Sequence, residues 1–197
     1  MKNPNALIII AKYPEKGVVK TRIRGLTDEQ RVELYTRLLN DTVGKLSLIP
    51  GVDTYIAFAP ENTKKYFSIF QVGLIPLSGG DLGQRMHEAF HKTFQRDYEK
   101  VSLVGADIPG LSVSIVKDSF NQLSDNDLVY GPARDGGYYL VGMRKLIKNV
   151  FDDVPWSSPR TLEISMNKAK QAGYSVSLIT VLSDIDTFED AKKHGLI

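Results

Sequence analysis

The chain has 197 residues, 42% hydrophobic and 24% charged, and no cysteine. A chain of that length buries roughly 70% of its unfolded surface, so one core can form without a disulfide or metal staple; global disorder is excluded, and a single domain over 1–197 is expected. The absence of cysteine removes disulfides, thiolate zinc sites, iron–sulfur clusters and a cysteine nucleophile, and a charge sum of 25 − 23 = +2 gives no field that would draw nucleic acid or an anionic membrane.

The first apolar run, Ala6–Ala11, reads as a buried strand, with four consecutive aliphatics from Leu7 to Ile10. Only six residues long before Lys12, it is too short for a secretion signal. No stretch approaches the ~20 apolar residues of a membrane span, so a cytoplasmic protein is expected. A basic loop follows, and Thr27 with Gln30 forms a capping-box pattern that predicts a helix from Asp28 to about Ser47. Strand Thr54–Ala59, a short helix Asn62–Phe70 and strand Val72–Leu77 come next. A turn at Gly79-Gly80-Asp81-Leu82-Gly83 opens a helix over Gln84–Asp97. Val101–Gly105 is a strand, Ser112–Leu123 a helix, and Asp127–Gly131 and Tyr139–Val141 are strands around a glycine pair. Ser157-Ser158-Pro159 has the chemistry of a helix start, serine at the cap and proline in the first turn. A last strand over Ser175–Val181 and a closing helix over Thr187–His194 complete the chain.

Strands alternating with helices predict a three-layer α/β fold: a mostly parallel central sheet with helices on both faces. Ligands in such folds bind outside the carboxyl ends of the strands. The loops that follow strands hold Lys20 and Arg22, then Asp81 and Arg85, then Asp107, then Asp135, and finally Asp186, and all five should converge on one edge.

Each loop has a functional and a plain reading. Lys12 to Arg24 carries five basic side chains against one acid, which suits a polyphosphate but also a solvated loop. It is not a Walker loop, because the second motif glycine is missing and no helix opens at Lys20. Asp107, at the end of a buried strand, is positioned for a divalent cation, or for hydrogen-bonding its own turn. Asp186 is a second carboxylate candidate, or with Glu189 an N-cap arrangement. Asp135-Gly136-Gly137-Tyr138 fits close ligand approach beside an acid, or a hairpin turn. The glycine turn before Arg85 fits anion binding at a helix N-terminus, or a simple lead into the helix. Trp156 would stack on a base or sugar, or pack. His87-Glu88-Ala89-Phe90-His91 matches the zinc-peptidase pattern H-E-x-x-H, but Phe94 and Asp97 stand where the longer metzincin form needs glycine and histidine. The two histidines are read as flanking a core stripe of Met86, Ala89, Phe90 and Phe94. No G-x-S-x-G elbow or G-x-G-x-x-G fingerprint is present.

Together, Gly17-x-x-Lys20-Thr21-Arg22, Ala106-Asp107-x-Pro109 and Asp135-Gly136-Gly137-Tyr138, in that order over nearly the whole chain, resemble the bacterial transferases described as radical-SAM/selenodomain-associated transferase 1. That family was formerly a domain of unknown function. The resemblance implies a glycosyltransferase-A, or nucleotide-diphospho-sugar transferase, fold and transfer from a nucleotide-activated sugar. It carries nucleotide and phosphate binding onto Lys20 and Arg22; the reading of the loops extends that expectation to Ala11, Lys12, Gly80, Asp81 and Arg85, and expects Gly136, Gly137, Tyr138 and Trp156 to bind the acceptor. Asp107, Asp135 and Lys20 are the expected catalytic residues. Asp107 and Asp186 are the implied ligands of Mg²⁺ or Mn²⁺. The usual Asp-x-Asp of glycosyltransferases is here Gly105-Ala106-Asp107. The loss of its first acid keeps a second expectation open, nucleotidyl transfer from an NTP with pyrophosphate release. A third, from a different class, is a nucleotide-binding protein without turnover. No motif specifies the base, sugar, acceptor or oligomeric state.

Overall fold

The computed structural model describes residues 3–183, 185 and 187–196. Seven strands form one sheet: β1 (Asn5–Lys12), β2 (Val52–Ala59), β3 (Gly73–Pro76), β4 (Lys100–Gly105), β5 (Leu128–Pro132), β6 (Tyr138–Met143) and β7 (Val176–Leu178), in the order β3-β2-β1-β4-β6-β5-β7. Helices α1 (Asp28–Leu46), α2 (Lys64–Phe67), α3 (Leu82–Phe94), α4 (Val113–Gln122), α5 (Thr161–Gln171) and α6 (Phe188–Lys193) surround it. The expected α/β layering is present.

Alternation along the strands sorts the core into two layers. On one face Leu7, Ile9, Ile56, Phe58 and Val104 pack with Tyr35, Leu39 and Val43 of α1, Phe67 of α2, and Val116 and Phe120 of α4. On the other Ile8, Ile75, Val101, Leu103, Leu128, Tyr130 and Val141 pack with Met86, Ala89 and Phe90 of α3 and Ala169 of α5. Each fully buried side chain of this size contributes about 1.5–3 kcal/mol by leaving water. A third, smaller cluster joins Ile23 and Leu26 of the first loop, Leu34 and Leu38 of α1, Ile185, and Ala191 of α6. α1 therefore buries two stripes, and the second ties down the basic loop.

β1 lies between two parallel neighbours, with Ile10 beside Gly105 of β4 and Lys12 beside Ala59 of β2. The chain crosses from β1 by way of α1 to β2 on one side, and from β3 by way of α3 to β4 on the other. The carboxyl ends of β1 and β4 thus form the crevice where open α/β sheets bind ligands. β6 is antiparallel to both β4 and β5. That reversal brings the β5–β6 loop to the same edge, and β7, parallel to β5, sends its following segment there too.

Several boundaries differ from expectation. The region Asn62–Phe70 is α2 between two 3₁₀ turns, Glu61–Thr63 and Ser68–Phe70. α3 begins at Leu82, because Asp81 is its N-cap: the Asp81 carboxylate accepts from Gln84 N (2.8 Å), and the Gln84 side chain accepts from Asp81 N (3.0 Å). α5 begins at Thr161 with Arg160 at the cap, so Ser157–Pro159 form a turn before the helix instead of its first residues. The Thr161 hydroxyl holds that turn, donating within reach of Pro155 O and Ser158 O (2.8 Å each). The Thr27–Gln30 capping box is present. At the last helix the box is made by Thr187 and Asp190, so the cap is not the Asp186–Glu189 pair. No described helix is long and apolar enough to cross a membrane.

Candidate active site

A cavity of about 380 Å³ opens at the carboxyl ends of β1 and β4. Its wall includes Ala11, Lys12, Lys20, Arg22, Arg85, Asp107, Asp135, Gly137, Tyr138 and Trp156. Among the described residues, the wall thus carries four cationic side chains and two carboxylates.

Each charged group is set by its element. Lys12 ends β1, and its backbone N–H donates to the Tyr35 hydroxyl of α1 (2.8 Å). Burial, then the negative charge of Asp107, pushes the Tyr35 phenol well above its ordinary range, so it stays protonated. Lys20 has a left-handed backbone (φ 50°), which costs a non-glycine residue about 1–2 kcal/mol. Val19 and Ile23 hold it there, both buried, with Ile23 N donating to Lys20 O at 3.0 Å. Its ammonium, on a side chain only 5% exposed, contacts Asp107 Oδ2 at 2.6 Å and donates to Ile185 O at 2.8 Å. The other oxygen, Asp107 Oδ1, has no protein partner among the described residues. The turn beneath Asp107 is fastened by Thr42, whose hydroxyl donates to Ala106 O (3.1 Å).

Arg85 sits in the first turn of α3, and its Nε is buried without a hydrogen-bond partner among the described residues. An uncompensated buried guanidinium N–H is costly, and a phosphate oxygen would satisfy it. Arg85 also lines an adjoining groove with Lys12, Glu15, Glu61 and Gly79, so it stands on the ridge between the two spaces.

The far wall is aromatic. Tyr138 and Trp156 meet edge to face at 6.3 Å. Burial first, then the nearby Tyr130, drives the Tyr138 phenol far up. Trp156 lies over the start of α3, where a Cβ on Gly83 would come within 2.5 Å of the indole. Asp135 Oδ1 accepts from Gly137 N (2.8 Å), which turns the loop and leaves Oδ2 for a ligand. Gly136 is at φ +88°, and a Cβ there would fall 2.0 Å from Pro159 O. Gly136 O accepts from Leu162 N (3.0 Å), so the hairpin loop is docked on the Ser157–Leu162 turn.

Most expected site residues therefore meet in one cavity. Three do not line it: Gly80, Asp81, which is occupied in capping α3, and Gly136, which faces Pro159. Asp186 lies outside the described residues. Ser157, also on the wall, has a left-handed backbone (φ 63°). Of the five non-glycine residues with positive φ among the described ones, it and Lys20 are the two on the cavity wall. Strain of this kind concentrates at functional sites. The sequence signal at Ser157 was present but matched helix capping better. Met86 and Thr161 also contribute, and nothing in their sequence context distinguished them from core or helix residues.

In the H-E-x-x-H segment the glutamate is engaged by its neighbours. Glu88 pairs with Lys92 (2.7 Å) and accepts from Ser78 N and Oγ (2.8 Å each). No three potential metal ligands cluster among the described residues.

The chain is similar to a candidate nucleotide-diphospho-sugar transferase from Desulfovibrio desulfuricans G20, with a TM-score of 0.88 and 31% identity over 95% of this chain and 84% of that one. It shares its fold with 4-diphosphocytidyl-2C-methyl-D-erythritol synthase from Anaerococcus prevotii DSM 20548 (TM-score 0.64, 13% identity, 96% and 93% covered). It also shares its fold with a CMP:2-keto-3-deoxy-manno-octonic acid synthetase in complex with CTP (TM-score 0.60, 13% identity, 100% and 98% covered). No protein with a curated description matches the chain. A family model matches residues 42–158, and the chain belongs to that family, described as uncharacterized proteins conserved in bacteria (DUF2064).

Proposed function

We propose that this protein is a transferase that uses a nucleotide-activated donor, and that it moves a glycosyl group from a nucleotide-diphospho-sugar. The observation that carries the reading is the meeting of Lys12, Lys20, Arg22 and Arg85 with Asp107 and Asp135 around one cavity. The likeness to the Desulfovibrio protein supports it, and so does the resemblance of the motif strings to the radical-SAM/selenodomain-associated transferases. Lys20, Arg22 and Arg85 neutralise the diphosphate, and Ala11 and Lys12 border the nucleotide. Tyr138, Trp156 and Gly137 receive the acceptor. The bond from the anomeric carbon to the diphosphate breaks and a bond from that carbon to an acceptor oxygen forms. The acceptor proton passes to Asp135, and the nucleoside diphosphate leaves.

Mg²⁺ or Mn²⁺ belongs to the proposal. Mg²⁺ takes few protein carboxylates and completes its octahedron with phosphates and water. The free Oδ1 of Asp107 fits a cation shared with substrate phosphates; no described cluster fits one held by protein alone. When bound, the ion supplies charge neutralisation at the departing phosphate.

A second reading keeps the same cavity and is favoured by one observation. Gly105 stands where a glycosyltransferase has its first acid. In that case an NTP is the donor and pyrophosphate the product. One experiment tests both: incubate the protein with UDP-, GDP- and dTDP-sugars and with the NTPs, and quantify nucleoside diphosphate and pyrophosphate. Nucleoside diphosphate supports glycosyl transfer, and pyrophosphate nucleotidyl transfer. Asp107→Asn should abolish either product with the fold intact. Normal turnover in that variant contradicts the assignment.

A further inference from the structure

The contact between Lys20 and Asp107 joins two groups that the sequence offers for separate tasks, one for phosphate and one for a divalent ion. It is built, not incidental. The lysine side chain is 5% exposed, its backbone is held in a left-handed turn between buried Val19 and Ile23, and Ile185 O takes a second ammonium proton at 2.8 Å. The ammonium is therefore placed on Asp107 Oδ2 at 2.6 Å by contacts that the protein alone supplies. A divalent ion that approaches Oδ1 would meet a carboxylate already neutralised, with a like charge beside it.

We propose that Lys20 is a built-in cation that competes with a divalent metal for Asp107, so that metal is admitted only together with nucleotide. This rests on the reading of the cavity as a nucleotide site. An ammonium has three donors, and two are used among the described residues. Phosphate oxygens take the third and offset the repulsion between ammonium and metal. Nucleotide and metal then bind with mutual enhancement, equal in both directions by linkage. The free protein stays metal-poor, and Lys20 acts as a positioning residue for the ion as well as a phosphate ligand.

The test is Mn²⁺ binding to nucleotide-free protein, followed by the paramagnetic resonance of the free ion. Lys20→Gly deletes the ammonium and relieves the left-handed strain, so it should fold; Lys20→Met repeats the measurement with a longer apolar side chain. Both should bind Mn²⁺ at least about tenfold more tightly than wild type, a modest return for removing a like charge from a partly solvated carboxylate. Adding Asp107→Asn to Lys20→Gly should return the affinity to the wild-type level. The proposal is overturned if neither single variant gains affinity, or if the gain survives without Asp107. Nucleotide titrations on wild type, read by the fluorescence of Trp156, run alongside. No nucleotide response overturns the reading of the cavity itself; a response with unchanged Mn²⁺ affinities overturns the competition alone.

Discussion

Gly136→Ala probes the docking of the hairpin loop that carries Asp135. Gly136 has φ +88°, and an alanine Cβ would lie 2.0 Å from Pro159 O and 2.5 Å from Pro159 C. Both are backbone atoms of the turn that Thr161 ties to Pro155 and Ser158, so neither can swing aside as a flexible side chain would. The left-handed backbone costs alanine about 1–2 kcal/mol. Overpacking against fixed atoms adds about 1–3 kcal/mol. The expected loss is therefore about 2–5 kcal/mol, a large share of the 5–15 kcal/mol typical of a domain. Urea denaturation followed by circular dichroism and Trp156 fluorescence measures it. The two probes also separate global loss from local opening: if only the loop lifts, the indole signal changes before the helical one. A variant within 0.5 kcal/mol of wild type by both probes would refute the docking and, with it, the placement of Asp135 on the cavity wall.

Two further predictions follow from the same contacts. Gly83→Ala lies within α3, where alanine ordinarily gains about 1 kcal/mol over glycine; here its Cβ would meet Trp156 at 2.5 Å and Phe151 O at 2.8 Å, so thermal unfolding should show no gain, and the indole emission should shift. On the alkaline side, burial raises the phenol of Tyr139 to about 12, with Asp118 adding to it, and pushes Tyr35, Tyr130 and Tyr138 upward as well. A raised folded value means that the native state holds protons the unfolded chain has lost. The Tyr139 contribution is complete below pH 10 and disappears as pH rises through about 12, so the unfolding midpoint should fall across that interval, and less steeply in Tyr139→Phe.

Much of this fold was legible because strand and helix periodicities are local. The buried run from Ala6 to Ala11 and the Thr27–Gln30 box needed no tertiary information, and both are present. The convergence of Lys20, Arg85, Asp107 and Asp135 followed from topology alone, since each closes or follows a strand. Other features were hidden because they depend on distant partners. Asp81 and Gly80 have the composition of a ligand loop, yet the carboxylate is spent on Gln84 N. Ser157-Ser158-Pro159 has helix-start chemistry, but Thr161 fastens it as a turn and Ser157 adopts positive φ. The H-E-x-x-H spacing is real, yet Glu88 answers to Lys92 and Ser78. The Lys20–Asp107 pair joins a loop after the first strand to one after the fourth, and no local pattern announces it.

The central claim, that this cavity receives the phosphates of a nucleotide, is tested most directly by calorimetric titration of UDP-, GDP- and dTDP-sugars and of the NTPs, with and without Mn²⁺, into wild type and Arg85→Gln. The buried Arg85 Nε lacks a partner among the described residues, and a charge-assisted hydrogen bond there is worth about 1.5–3 kcal/mol. The account predicts that at least one nucleotide binds wild type and binds Arg85→Gln about tenfold to a hundredfold more weakly. Absence of binding to wild type, or equal affinity in the two proteins, would contradict it.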